Sequence, residues 1–187
     1  WKQLEEGKIG YDVLPRKRFE LTFNELGYSH IDPSKFNDDY LHNLSKHGKL
    51  FPQSLEVLKT LKSRGYRIFI ITNGIYSVQK HRFNQEETKG IYEKIFCSES
   101  LHANKPDPRF FDAVFKETGL ADLSEEERRS KAIVIGDSLT SDIQGGINAK
   151  LNTIWYNPNN LSINEKIRPT YVIHQLTELL DYFPPLK

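Results

Sequence analysis

The sequence predicts an α/β protein with a mostly parallel sheet, preceded by a small helical region. Three observations point there. Short β-type runs at Tyr66–Ile71, Ile95–Cys97, Ala132–Ile135 and Thr153–Tyr156 alternate with helical patterns. Successive units lie about 30 residues apart, the rhythm of right-handed crossovers between parallel strands. The run Ala132–Ile135 is wholly apolar, as a strand covered on both faces must be, and it ends in Gly136-Asp137. Before Gly48 there is no strand pattern.

The first 47 residues read as helices. Trp1–Glu6 resembles a helix tail that stops near Gly7. Asp12 is placed to cap a second helix with Pro15 in its first turn, and Phe19, Phe23 and Leu26 share its apolar face. Asp32-Pro33 starts a third, in which Phe36, Tyr40 and Leu44 recur at helical spacing. The basic run Arg16–Arg18 reads as a solvated helix face, and His42 and His47 as surface residues. Gly48–Pro52 breaks this pattern and marks a boundary, giving a helical unit over residues 1–50 and an α/β core over 51–187.

Within the core, Leu55, Leu58 and Leu61 define a helix ending at Gly65. The strand Tyr66–Ile71 then runs into Thr72-Asn73-Gly74, and Val78 lies in the next helix. Ile95–Cys97 leads to a loop over Ser98–Pro108 and a helix with Phe111, Val114 and Phe115 inward. Ser124 and Glu127 have capping-box spacing, and Glu125 and Arg129 form an exposed pair four apart. After Ala132–Ile135 a helix extends to about Ala149. Thr153–Tyr156, a short strand at Tyr171–Ile173 and a helix carrying Leu176, Leu179 and Leu180 complete the chain. Trp155 and Tyr156 read as strand-end packing, and Cys97 as a small buried hydrophobe.

Composition narrows the function classes. With 26 basic and 25 acidic residues the net charge is +1, so no overall field favours a nucleic acid polymer or an anionic membrane. The longest apolar run, Ile68–Ile71, is far too short to span a bilayer. The single cysteine excludes an internal disulfide and suits a reducing compartment, so the expected location is cytoplasmic. Hydrophobic residues at 37% and aromatics at 12% are enough for a packed core.

Ligands of open α/β sheets bind beyond the carboxyl ends of the strands. Three such ends carry different chemical parts. Thr72 offers a hydroxyl and a backbone N–H at a glycine-softened turn, both able to donate to a phosphate oxygen. Lys105, in a loop stiffened by Pro106 and Pro108, can neutralise an anionic intermediate. Asp137 and Asp142 are placed to hold a hard cation such as Mg²⁺ through oxygen. Singly, each has an ordinary reading as turn or surface residue. Together, and in this order, they fit phosphoryl transfer.

The set strand–TNG, KPDP and strand–GDSLTSD resembles the haloacid dehalogenase-like hydrolases. WKQLEEGKI, RKRFE, IGDSLTSDIQGGINA, WYNP and the late RPTY are similar, more narrowly, to the branch of non-specific, pyrimidine-type 5′-nucleotidases. The resemblance covers nearly the whole chain. It implies a Rossmann-like core with a small helical cap domain, and a Mg²⁺-dependent hydrolase of small phosphomonoesters, nucleoside 5′-monophosphates in particular. It gives Thr72 and Lys105 catalytic roles, with Thr72, Asn73, Gly74 and Lys105 around the phosphoryl group. Asp137 matches a direct Mg²⁺ ligand, and Asp142 an acidic residue that supports the metal directly or through water.

One part of the pattern is missing. The family's nucleophile lies in an Asp-x-Asp at the end of a strand, and no such motif occurs here. Asp38-Asp39 has the wrong spacing and lies in a helical stretch. The resemblance therefore implies an upstream segment with a strand central to the sheet. The 187 residues without it are expected to fold poorly and to be inactive. Other readings on the same scaffold are a sugar-phosphate mutase, a dehalogenase and a non-catalytic phosphate-binding relative. A receiver-type signalling domain would place its acid pair before the Thr and the Lys, whereas here the pair follows both.

Overall fold

The computed structural model describes residue 3 and residues 8–10, 13–85, 87–162 and 166–186. Most of the helix tail expected over Trp1–Glu6, and the Asp12 cap, lie outside these residues. Prolines set the starts of the first two helices. Pro15 lies in the first turn of α1 (Leu14–Glu25) and Pro33 in that of α2 (Pro33–Lys46), where a missing N–H leaves no helical bond unmade. The Asp32 carboxylate caps α2, accepting from Ser34 N at 2.8 Å and Lys35 N at 3.3 Å. The two apolar faces meet as expected: the Phe19 ring lies edge-on to Phe36 at 4.9 Å and to Tyr40 at 5.4 Å.

Two residues of this unit depart from expectation. Leu26 falls just past the end of α1, where the chain turns at Gly27, and is 62% exposed. Arg18 does not sit on a solvated face. Its guanidinium lies 4.6 Å from the Phe19 ring centre and 4.7 Å from that of Tyr40, and donates to Asn37 Oδ1 at 2.9 Å. Burial against these rings lowers its pKa, with the Tyr40 hydroxyl a smaller opposing influence.

Beyond the break at Gly48–Pro52, α3 (Ser54–Ser63) buries Val57 and Leu61, with Leu55 and Leu58 half-buried beside them. Strand β1 spans Phe69–Thr72, beginning later than the sequence suggests. Tyr66 and Ile68 precede it because they pack into the core under α3, and strand pairing starts only at Phe69 opposite Lys94. Next come α4 (Tyr76–Phe83), β2 (Lys94–Cys97), a single turn α5 (Ser98–Leu101) and α6 (Pro108–Thr118). Then follow α7 (Glu125–Lys131), β3 (Ile133–Gly136), a π-helical turn at Leu139–Ile143, α8 (Gln144–Asn148), β4 (Asn152–Tyr156), β5 (Tyr171–Ile173) and α9 (Leu179–Tyr182). The Ser124–Glu127 capping box forms at the start of α7. Arg129 donates to the Lys150 carbonyl at 3.3 Å.

All strand pairs are parallel. Among the described residues the sheet has two parts, β1-β2 and β3-β4-β5. Strand β3 therefore pairs on one side only, and of its residues Val134 alone is buried while Ile133 and Ile135 are half-buried. Helices cover both faces. On one, α6 brings Phe110, Phe111, Val114 and Phe115 against Phe96 of β2 and Val134 of β3, so this core spans both parts of the sheet. On the other, Val57 and Leu61 of α3 meet Ile154, Ile173 and Leu179. The result is a three-layer α/β core of the kind the resemblance implies. No helix among the described residues is long and apolar enough to cross a membrane.

Helix α8 lies close over the sheet because Gly146 has no side chain. A Cβ there would sit 2.5 Å from Thr153 Cγ2 and 3.1 Å from Val134 Cβ. Gly146→Ala is expected to destabilise the protein by about 1–3 kcal/mol in urea unfolding, through overpacking. Adding Thr153→Ser, which removes the struck methyl and keeps the buried hydroxyl, should recover part of that loss. A Gly146→Ala protein as stable as the parent would contradict the close packing.

Candidate active site

The carboxyl ends of β1 and β3 meet around one buried lysine. Lys105 is 4% exposed. Its Nζ donates to the Ile71 carbonyl, one residue before Thr72, at 3.0 Å, and to Asp142 Oδ1 at 2.6 Å. An ammonium this deep is tolerable only when paired and hydrogen-bonded, and both conditions hold. Of its three N–H bonds, the two acceptors take two.

The loop that delivers Lys105 is fixed along its length. Asp107 N donates to Asn104 O at 2.7 Å, and Asn148 Nδ2 of α8 donates to Pro106 O at 2.9 Å. Asp107 caps α6, accepting from Arg109 N at 2.9 Å and pairing with the Arg109 guanidinium at 2.6 Å. The hydrogen bonds from the Arg109 side chain, opposed by burial and helped by the Arg109 backbone N–H, hold the Asp107 carboxyl below the usual carboxylate range.

At the end of β1 the Thr72 Oγ1 accepts from Gly74 N at 3.0 Å, leaving the hydroxyl proton to donate. Asn73 turns towards the lysine loop, its side-chain amide exchanging two hydrogen bonds with the Lys105 backbone. Of the expected phosphate-binding groups, the Gly74 N–H and the Asn73 side chain are thus engaged within the protein, while the Thr72 hydroxyl proton and one N–H of Lys105 have no acceptor among the described residues. Cys97 is buried as expected. Its thiol donates to the Gly74 carbonyl, and burial pushes its pKa up.

The two aspartates after β3 differ sharply. Asp142 is 8% exposed; its Oδ1 accepts from Lys105 and its Oδ2 from Ser138 N at 3.1 Å. A Cβ at Gly136 would lie 2.3 Å from Asp142 Oδ2, so only glycine lets this carboxylate fold back against the strand. The π-helical turn supplies that geometry, with Ser138 Oγ accepting from Ser141 N at its start. Asp137 is exposed, and among the described residues its carboxylate makes no hydrogen bond or ion pair. Its carbonyl accepts from Trp155 Nε1 at 2.9 Å. Trp155, 1% exposed, is thus the packing residue expected and also an anchor for Asp137.

An exposed, unpartnered carboxylate fits a hard cation that keeps most of its waters, as Mg²⁺ does. No cluster of three His, Cys, Asp or Glu side chains exists among the described residues. Of the two aspartates, Asp137 is the one whose oxygens have no protein donor among the described residues, both Asp142 oxygens already accepting from Lys105 and Ser138. The roles of Asn73 and Trp155 escape sequence reasoning. Asn-Gly reads as an ordinary turn pair, and a tryptophan inside an apolar strand carries no mark of the carbonyl it meets.

The chain is similar to known proteins over most of its length. Residues 16–156 match the family model of the haloacid dehalogenase-like hydrolases. The pyrimidine 5′-nucleotidase PynA of Streptococcus pneumoniae is 36% identical over 181 residues, covering 97% of this chain and 73% of that protein. The pyrimidine 5′-nucleotidase YjjG of Escherichia coli is 29% identical over 179 residues, or 96% of this chain and 75% of its own. Among solved structures, the magnesium-bound YfnB of Bacillus subtilis, described as revealing interdomain movement, superposes with a TM-score of 0.84 at 30% identity. That match covers 98% of this chain and 77% of that one.

The depressed Asp107 carboxyl sets a pH dependence. A lowered folded pKa means stabilisation that is present above the unfolded value, about 3.9, and is lost as pH falls through the folded one. Because Arg109 is largely exposed, solvent screening keeps the effect modest. Asp107→Asn should lower the Tm slightly at pH 6, and the difference should be smaller at about pH 3, below the unfolded value. An equal difference at both pH values would contradict the assignment.

Proposed function

The chain belongs to the haloacid dehalogenase-like hydrolases and is a phosphoric monoester hydrolase, and on that premise we propose its substrates and mechanism. The substrates are nucleoside 5′-monophosphates, pyrimidine ones included, hydrolysed with Mg²⁺ through an aspartyl-phosphate. The observation that carries the reading is the Lys105 ammonium, bonded at once to the end of β1 and to Asp142. The two similar nucleotidases support the substrate class.

In this reading the Thr72 hydroxyl donates to one phosphoryl oxygen. Lys105 turns its third N–H to another and neutralises charge there, inside a site that needs no reorganisation. Asp137 holds Mg²⁺, and Asp142 orients Lys105 and supports the metal through water. When bound, the ion draws charge from the phosphoryl oxygens. The Asn73-Gly74 turn frames Thr72.

The nucleophilic carboxylate comes, in this proposal, from a further strand entering between β1 and β3. The unpaired edges of both strands, whose ends Lys105 bridges, support that placement. Residues 1–50 act as the cap, excluding water and contacting the leaving group, over a core of residues 51–187. The single buried thiol suits the cytoplasm.

In the full-length protein, Asp137→Ala should lower p-nitrophenyl phosphate hydrolysis at least about 100-fold while leaving the far-UV circular dichroism unchanged. EDTA should abolish activity and Mg²⁺ restore it, and CMP and UMP should release phosphate. Unchanged turnover in Asp137→Ala would refute the metal role. Halide release from 2-haloacids without Mg²⁺ would favour a dehalogenase.

A further inference from the structure

We propose that Asn73 is the positioning residue for Lys105, acting on its backbone and not on the substrate. The proposal rests on the phosphatase reading above. Lys105 N donates to Asn73 Oδ1 at 2.9 Å, and Asn73 Nδ2 donates to Lys105 O at 2.8 Å. One side-chain amide therefore holds the peptide groups on both sides of the Lys105 Cα, across 32 residues of chain.

This matters because of how the lysine is used. A lysine side chain has four rotatable bonds, and two acceptors, Ile71 O and Asp142 Oδ1, fix its tip. With the Cα also fixed, the third N–H has one direction left. Releasing the Cα lets the ammonium keep both acceptors while its free proton swings away. Misplacement by about 1 Å is enough to cost about 100-fold in rate.

The clamp also ties two reacting groups together. Asn73 follows Thr72 directly, and the Thr72 Oγ1 is held by Gly74 N in the same turn. The residues that aim the hydroxyl thus aim the ammonium as well. The chemistry demands a primary amide of this length. Aspartate keeps the acceptor and loses the donor, setting a carboxylate against the Lys105 carbonyl. Alanine loses both contacts, and serine is too short to make two.

The test is a double-mutant cycle in the full-length enzyme, with p-nitrophenyl phosphate and saturating Mg²⁺. Asn73→Ala should lower kcat about 10- to 100-fold with KM changed less than about 3-fold. On a Lys105→Ala background the same substitution should have no further effect, within about 2-fold. Asn73→Asp should fall between parent and Asn73→Ala. Amide hydrogen exchange reads the clamp without activity: the Lys105 N–H should lose protection in Asn73→Ala while the Ile70 and Ile71 amides keep theirs.

Unchanged kcat, full additivity with Lys105→Ala, a raised KM at unchanged kcat, or an equally protected Lys105 amide would each overturn the proposal. If Asn73→Ala does not fold, the Asn73→Asp protein decides by the same two readouts. Full turnover in Lys105→Ala alone would sink the phosphatase reading instead, and the exchange data would still decide whether the clamp exists.

Discussion

A charged lysine buried between a main-chain carbonyl and a carboxylate is the constraint on which the arrangement turns. Lys105 and Asp142 are side chains 5% and 12% exposed, so neither can fall back on water. Removing one partner of such a pair leaves an uncompensated buried charge, at a cost of about 3–5 kcal/mol. The pair therefore fixes more than itself. Through Ile71 O it sets the end of β1, and through Asp142 it sets the turn after β3. Two parts of a sheet that share no strand pairing among the described residues are joined at their carboxyl ends by one ammonium.

The local structure around this pair follows from what it requires. Asp142 reaches Lys105 because Gly136 leaves room for it and because the chain after Ser138 widens into a π-helical turn. Such turns are rare and cluster at functional sites, where they re-aim a side chain. On the other side, the lysine loop is held by Asn73 and Asn148, polar contacts between segments distant in sequence, and by the local Asp107 cap. The apolar core spanning Phe96 and Val134 under α6 provides the rigid floor. Asp137 lies outside this network. Its side chain faces solvent while Trp155 holds its carbonyl, which suits the proposed role of presenting oxygen to a hydrated cation.

Much of the fold was legible in the sequence because the signals are local. The Asp32 cap, the Ser124–Glu127 capping box, the β5 strand and the helix over Phe111, Val114 and Phe115 depend on neighbours a few residues away, and they formed as read. Thr72, Lys105, Asp137 and Asp142 stand out in the sequence by their places beyond strand ends, and the structure brings Lys105 to Asp142 and to Ile71 beside Thr72. Long-range partners were not. Nothing near Asn73 marks it as a clamp 32 residues away, and nothing near Arg18 reveals that Phe19, Asn37 and Tyr40 enclose it. Leu26 followed the apolar period, but its helix ended before it. Tyr66 was β-like in type, yet the core under α3 claimed it before strand pairing began. Periodicity reports which face a residue occupies, and packing alone decides what that face meets.

In the proposed mechanism Thr72, Lys105 and Asp137 serve one phosphoryl group. A crystal structure of the full-length protein soaked with Mg²⁺ and orthovanadate tests this most directly. Vanadate is predicted to bind within hydrogen-bond distance of Thr72 Oγ1 and Lys105 Nζ, with the metal on an Asp137 oxygen. Vanadate bound away from these three residues, with Lys105 still closed on Ile71 and Asp142 and no metal at Asp137, would contradict it.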